Sequence, residues 1–224
     1  MSSGLISRSL AVYLKDLRME LRTKNALNAI LMFGVTTLTV VSFSLGQSGL
    51  SPKLMSALFW VIMFFSAMSG LAQTFIREEE TGTSLILNLT AEPNSIYIGK
   101  LLFNLTLLVT MTSIITPMFF VFTDAPTENI LPFLLLLVLG ILGLVSATTL
   151  VAAIISKASV KGALFAVVSF PLLLVLLMVL VGATDKILDN ESLSTVSSEI
   201  QFLLAYVVVM TTSSLLLFKF VWRE

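Results

Sequence analysis

Three consecutive glutamates, Glu78, Glu79 and Glu80, follow Arg77 in the longest charged run of the sequence. Carboxylates can act as general bases or metal ligands, but this chain contains neither histidine nor cysteine to work with them. That absence removes disulfides, thiolate metal sites, the commonest metal ligand and the commonest general base near neutral pH. The sequence also has no glycine-rich phosphate loop ending in Lys-Ser or Lys-Thr, so we do not expect the chain to hydrolyse ATP. Contact with an energy-supplying partner is therefore the role we consider for this run.

The residues after the glutamates favour a short helix. Gly82 interrupts the charged run, and a hydroxyl residue at position 83 or 84 can cap a helix that carries Leu85, Ile86 and Leu89. A short amphipathic helix of this kind fits a groove on another protein. A solvated loop, whose glutamates only keep it soluble, explains the same residues equally well.

Charged residues divide the rest of the sequence into apolar stretches. The chain has 224 residues, of which 57% are hydrophobic and 12% charged. Six charge-free gaps are each long enough to cross roughly 30 Å of hydrocarbon as helix. We therefore predict one all-α membrane domain, residues 1–224, with six transmembrane helices. The predicted spans are Ala26–Leu45, Leu54–Phe75, Leu101–Phe122, Ile130–Ile155, Gly162–Val181 and Phe202–Trp222.

Lysine and arginine are distributed unevenly between the two ends of these spans. Eleven of the 13 lie on the side that holds the N-terminus, and only Lys53 and Lys186 lie on the other. This positive-inside bias predicts that both termini are cytoplasmic, and the balanced net charge gives no indication of nucleic acid binding. Segment 76–97 is then a cytoplasmic loop. The first 24 residues do not have the pattern of a cleavable signal.

Residues 5–24 show the pattern of an amphipathic helix. Leu10, Leu14, Leu17 and Leu21 recur at helical spacing on one face. Basic residues lie away from that stripe, where they can contact anionic headgroups: Arg8, Lys15, Arg18 and Arg22. We predict a helix in the membrane surface. A cytoplasmic helix packed on a partner protein remains the alternative.

Small residues indicate where the spans approach each other. Ser66 and Gly70 are four positions apart in the second span, and Gly140, Gly143 and Ala147 follow one side of the fourth. Close backbone approach drives helix association in lipid, so both sets are candidate packing faces.

Several runs in the sequence resemble a known family. Residues 77–83 (Arg-Glu-Glu-Glu-Thr-Gly-Thr), Pro93 and residues 98–102 (Ile-Gly-Lys-Leu-Leu) resemble the membrane subunits of type-2 ABC exporters. Three further stretches are most similar to the haem exporter protein B (CcmB) family of cytochrome c maturation: 15–24, the region from Trp60 through 75–78 to 95–100, and 170–174. The sequence departs from the family pattern at 55–60, where a Pro-Gly pair is common, and at 83–85, where a Leu-Glu pair is common.

The resemblance implies an ABC-2 type permease architecture and a set of functional residues. The N-terminal surface helix would be followed by six spans, with a coupling helix in the first cytoplasmic loop. The residues that this assigns to ATPase coupling are Arg77, Glu78, Glu79, Glu80, Gly82, Leu85, Leu89 and Lys100. The surface-helix residues are Leu10, Leu14, Leu17, Arg18, Leu21 and Arg22.

The resemblance also implies partners and a location in the bacterial inner membrane. A cytoplasmic ABC ATPase subunit would bind ATP, and membrane subunits of cytochrome c maturation would handle haem, with a second permease copy as a further partner in the lipid bilayer. Haem would be cargo of the complex, with no cofactor bound by this chain alone. Without histidine or cysteine, a haem ligand from this chain would have to be methionine or tyrosine.

Other functions fit the same layout. A type-2 ABC permease for a lipid, polymer or drug would show similar spans and a similar first loop. A membrane scaffold that assembles other proteins would need no coupling at the glutamates. An intramembrane enzyme fits poorly, because the spans offer no buried nucleophile–base pair and no metal ligands.

Overall fold

The computed structural model describes residues 2–45, 50–71, 73–156 and 161–223. Within these ranges the chain is helical apart from short turns, and no strand is present. The all-α fold is therefore confirmed. Lys157 lies outside the described residues, as do the side chains of Leu85, Lys161 and Arg223.

Helices follow one another through short connections. They are α1 (Ser2–Thr23), α2 (Asn25–Leu45), α3 (Pro52–Leu71), α4 (Gln73–Glu80), α5 (Ser84–Thr90), α6 (Pro93–Thr123), α7 (Ile130–Ile155), α8 (Lys161–Leu188) and α9 (Ser197–Arg223), with a 3₁₀ turn at Leu193–Val196 before α9.

Six stretches of helix in the described ranges are long and apolar enough to cross a membrane, as predicted. The fourth, α7, has the predicted bounds. By contrast, α6 begins at Pro93, eight residues before the predicted span, because proline is well suited to the first turn of a helix. Lys100 is therefore two turns inside a helix. Likewise α8 continues past Val181 to Leu188.

A large apolar core joins the spans. Phe59 contacts the rings of Trp60, Phe119 and Phe133 with centroid separations of 5.0–5.3 Å. A Cβ added at Gly140 would lie 2.2 Å from the Trp60 ring. The small-residue faces are thus packing faces: Gly140 admits Trp60, while Gly143 faces Leu176 and Gly70 faces Ile30.

A second core lies where α1, α4, α5 and the start of α6 meet the last turns of α9, and we call this side the α1 end of the bundle. Phe75, Tyr97, Phe218 and Trp222 pack together there with ring centroids 5.3–5.6 Å apart. Leu87 of α5 belongs to the same core. Because the number of spans is even, the start of the first span and the end of the last span lie on this same side.

Helix α1 presents three faces. The face against α6 buries Ser9, Val12, Asp16 and Glu20. The predicted leucine stripe is turned away from the bundle, with Leu10, Leu14 and Leu21 exposed and Leu17 half-buried. The third face carries Arg8, Arg18 and Arg22, all exposed.

Candidate functional site

Helix α1 is held close to α6 at Gly99. A Cβ at this position would lie 2.7 Å from Cβ of Val12 and 2.8 Å from the carbonyl oxygen of Ser9. Only glycine therefore allows the two helices to approach this closely without a shift of backbone. The close approach brings Lys100, the next residue, towards the buried face of α1.

Lys100 is the centre of a buried ion cluster. Its side chain is 2% exposed, and Nζ lies 3.0 Å from Asp16 Oδ2 on α1 and 2.8 Å from Glu78 Oε1 on α4. The same ammonium donates a hydrogen bond of 3.0 Å to the carbonyl oxygen of Thr74 and lies 5.7 Å from the Phe75 ring centroid. One lysine thus connects three helices at the α1 end.

The two carboxylates of the cluster share a second lysine. Lys15 Nζ lies 3.1 Å from Asp16 Oδ1 and also contacts Glu78 Oε1. Thr83 donates a hydrogen bond of 2.5 Å to the other carboxylate oxygen of Glu78. Burial of Lys15 acts to lower its pKa, but the adjacent Asp16 and Glu78 carboxylates outweigh that effect and raise the pKa above its ordinary value. We therefore expect Lys15 to stay charged at neutral pH.

The cluster fixes the relative positions of α1, α4 and α6 more than it adds stability. Desolvation of buried charges consumes much of their mutual attraction, but removal of one partner leaves an uncompensated buried charge. Any movement of α4 that separates Glu78 from Lys100 therefore has a high energetic cost. Movement of α1, α4 and α6 as one unit avoids this cost.

A hydrogen-bonded chain extends from the cluster into the bundle. Thr74 donates a hydrogen bond of 2.5 Å to Asn104 Oδ1, and Asn104 Nδ2 donates one of 2.9 Å to Thr149 Oγ1. All three side chains are buried. Because Thr74 is also the carbonyl acceptor for Lys100, polar contacts run without a break from α1 to α7.

Helix α5 is anchored on one side and exposed on the other. Leu87 is buried in the second core, whereas Ile86 is 63% and Leu89 82% exposed. Thr83 occupies the predicted N-cap position, but its hydroxyl binds Glu78 and makes no capping bond. The helix therefore presents two large apolar side chains outward from a fixed base.

The residues predicted for coupling divide into two groups. Glu78 and Lys100 are buried, so they face the protein and not a partner. Arg77 and Glu79 are half-buried, Glu80 is exposed, and Gly82 is exposed with φ of +67°, which favours glycine. Leu89 is exposed on α5, as is the neighbouring Ile86. Segment 76–97 is mostly helix, comprising the end of α4, α5 and the start of α6.

Sequence reasoning missed the roles of Lys15, Asp16, Thr74 and Asn104. A signal was available for Asp16, which lies on α1 away from both the leucine stripe and the arginines. Its partner Lys100 is 84 residues further along the chain, and spacing alone does not reveal such a contact. Among the described residues no group of three or more metal-ligating side chains is present.

The comparison with protein families decides the relationship. A family model described as "CcmB protein" matches residues 7–222. The chain belongs to the CcmB family. No curated protein gives a match. Family membership confirms the resemblance carried by the runs around Glu78 and Gly99, and it makes the chain a multi-pass inner-membrane permease component of haem-exporting ABC transport in cytochrome c maturation. The permease itself is not the catalytic subunit.

Proposed function

We propose that this chain transmits ATP-driven movement of a separate cytoplasmic ATPase to haem handling on the opposite side of the membrane. The observation that carries the proposal is that α5 has two different sides. Ile86 and Leu89 are exposed on one side, and Leu87 is buried in the second core on the other. A partner that grips these two side chains moves a helix whose other face is packed in the second core. The neighbouring ion cluster then carries the movement to α1 and α6.

The orientation of the chain is part of this proposal. The α1 end is cytoplasmic, because eleven of 13 lysines and arginines belong to that side. Both termini are then cytoplasmic, and acidic residues such as Asp124 and Glu128 face the periplasm.

Cysteine labelling tests this orientation. The chain has no cysteine, so a single introduced cysteine reports its own accessibility. In intact cells a membrane-impermeant maleimide should label Glu128→Cys and not Glu80→Cys, and the reverse result would overturn the orientation.

Haem is the cargo in this proposal, with its axial ligands supplied by other subunits. Of the methionines available as ligands, Met55, Met63 and Met111 are buried in the packed core. Met210 is also buried, Met68 and Met118 are half-buried, and Met178 is exposed. Methionine in such surroundings usually serves to fill space. Purification of the chain alone with stoichiometric haem would contradict this assignment.

The coupling test uses a charge on the exposed face of α5. Ile86→Asp combined with Leu89→Asp should abolish co-purification of the ATPase and reduce c-type cytochromes on a haem-stained denaturing gel. Thr90→Asp is the matched control, because it adds a charge to the exposed end of the same helix without removing an apolar contact. Both variants should remain folded in the membrane.

The outcomes distinguish the proposal from the other functions. Normal c-type cytochromes in the double variant would favour a scaffold that needs no coupling. Depletion of the whole chain should remove the c-type bands and leave b-type haem spectra intact. Unchanged c-type bands after depletion would instead favour export of a lipid, polymer or drug.

A further inference from the structure

A cavity of about 330 Å³ lies beside the elbow where α1 turns into α2. Lys24 makes this elbow with a left-handed backbone, φ of +55°. The cavity is enclosed by α1, α2, α3, α4 and α6, and its volume is in the range of small-ligand sites. It lies at the α1 end of the spans.

The cavity wall carries more negative than positive charge. Four carboxylates line it, and the cations that line it are Arg77 and Lys100. The carboxylates are those of Asp16, Glu20, Glu78 and Glu80. Lys15 and Lys100 pair with Asp16 and Glu78. Glu20 and Glu80 therefore remain as acceptors for a cationic group of a ligand, and Arg77 offers a separate place for an anionic group.

Two buried carboxylates of the cavity differ in their partners, and Asp16 is the one already paired with cations. Its side chain is 4% exposed, and its two oxygens contact Lys15 and Lys100 ionically at 3.1 and 3.0 Å. Buried carboxylates of this kind are stabilised by directed N–H donors. Glu20, on the same face of α1, is 5% exposed and accepts one hydrogen bond of 2.8 Å from the backbone N–H of Leu27. No lysine or arginine side chain among the described residues pairs with it, so Glu20 can accept a further donor.

An apolar surface continues from the cavity along the spans. Ala29 of α2 and Ser69 of α3 line the cavity. One helical turn further from the α1 end, Phe33 and Phe65 face each other with ring centroids 6.2 Å apart, and they are 38% and 49% exposed. A charged cavity followed by an exposed aromatic pair matches the two parts of an amphiphile.

We propose that this cavity binds the headgroup of a phospholipid that carries a primary ammonium, of the phosphoethanolamine type. The ammonium donates to Glu20 and Glu80, the phosphate pairs with Arg77, and an acyl chain covers Phe33 and Phe65. A choline headgroup has no N–H to donate, and a glycerol headgroup brings no cation. This inference goes beyond the proposed function and does not depend on it.

The first experiment measures binding to the delipidated full chain by native mass spectrometry. The probes are phosphatidylethanolamine, phosphatidylcholine and phosphatidylglycerol with identical acyl chains, together with soluble O-phosphoethanolamine. We expect at least a tenfold preference for phosphatidylethanolamine over the other two lipids, and weaker binding of the soluble compound. Equal binding of the three lipids would overturn the proposal. Binding of O-phosphoethanolamine as tight as that of the lipid would assign the site to a soluble zwitterion and overturn the lipid assignment.

Two variants locate the bound lipid. Ala29→Phe fills the exposed mouth of the cavity and should abolish the preference, whereas Met32→Phe on the same helix lies outside the cavity and should preserve it. Arg77→Gln should weaken phosphatidylethanolamine binding about tenfold, because it removes the partner of the phosphate. An unchanged preference in Ala29→Phe would place the lipid elsewhere and overturn the assignment.

Discussion

The two ends of the bundle hold their charges in opposite ways. At the α1 end, Lys100 is buried between two carboxylates from different helices. At the opposite end, Lys186 and Glu199 form a pair at 2.6 Å with side chains 36% and 22% exposed. Water screens the second pair, whereas the first depends wholly on its protein neighbours. The α1 end is therefore fixed as a unit, and the opposite end is free to rearrange with little electrostatic cost.

The strongest test of this contrast replaces the lysine of each ion pair, Lys100 or Lys186, by methionine. Lys100→Met should destabilise the chain by roughly 3–5 kcal/mol, because Asp16 and Glu78 would be left as buried charges. Lys186→Met should leave the unfolding transition unchanged within error, since its charge is exposed. Denaturant-induced unfolding in detergent measures both. Similar losses in the two variants would contradict the difference between the ends.

A second test uses the glycines at the two ends. Gly99→Ala should cost roughly 1–3 kcal/mol and separate α1 from α6, because the new Cβ would meet Val12 and the Ser9 carbonyl. Gly182→Ala, whose Cβ would enter open space, should be neutral or slightly stabilising. Thermal unfolding gives the stability, and limited proteolysis within α1 reports its release. A protease-resistant α1 in Gly99→Ala would argue against close packing at this position.

The buried amide and its surface counterpart give a smaller effect. Asn104→Leu removes the link between Thr74 and Thr149 and should cost about 1–2 kcal/mol, the scale of interhelical hydrogen bonds in membranes. The side-chain amide of Asn129 at the opposite end makes long contacts of 3.3–3.5 Å. Asn129→Leu should therefore change stability less than Asn104→Leu. The reverse order would show that the polar chain does not stabilise the bundle.

The smallest expected effect is a pH dependence confined to the α1 end. The pKa of Lys15 is raised in the folded state. Its contribution to stability is thus complete below its unfolded pKa of about 10.4 and is lost as pH rises through the folded value. Proteolysis within α1 should increase above that pH in the wild type. Lys15→Met should be more sensitive at neutral pH and show a smaller alkaline step.

Sequence alone predicts the architecture because the membrane imposes simple constraints. Length and apolar content determine the six spans, and α7 matches its prediction residue for residue. The glycine and small-residue faces also follow from local pattern. The roles of Glu78 and Lys100 do not, since a charged residue beside an apolar run looks the same whether it faces water or a buried partner. Their burial depends on how α1 folds back onto α6, which no short-range pattern encodes.

The helix starts show the same limit. Charges mark where hydrocarbon ends but not where a helix ends, so α6 begins eight residues before its predicted span. The extra turns carry Gly99 and Lys100, and hence the contact with α1. The docking role of α5 remains a prediction. Ile86 and Leu89 are exposed, but their exposure does not identify the protein that would bind them.

The Lys100 cluster has a consequence for how the chain is made. Asp16 and Glu78 leave the ribosome 84 and 22 residues before their common partner Lys100. Until the third span inserts, the nascent chain carries two acidic groups that share one lysine, Lys15, and lack the buried lysine that completes the cluster. Insertion of that span completes the cluster and marks the point at which the first half of the protein becomes a stable unit. Chains that stop short of it should be recognised and removed by membrane proteases.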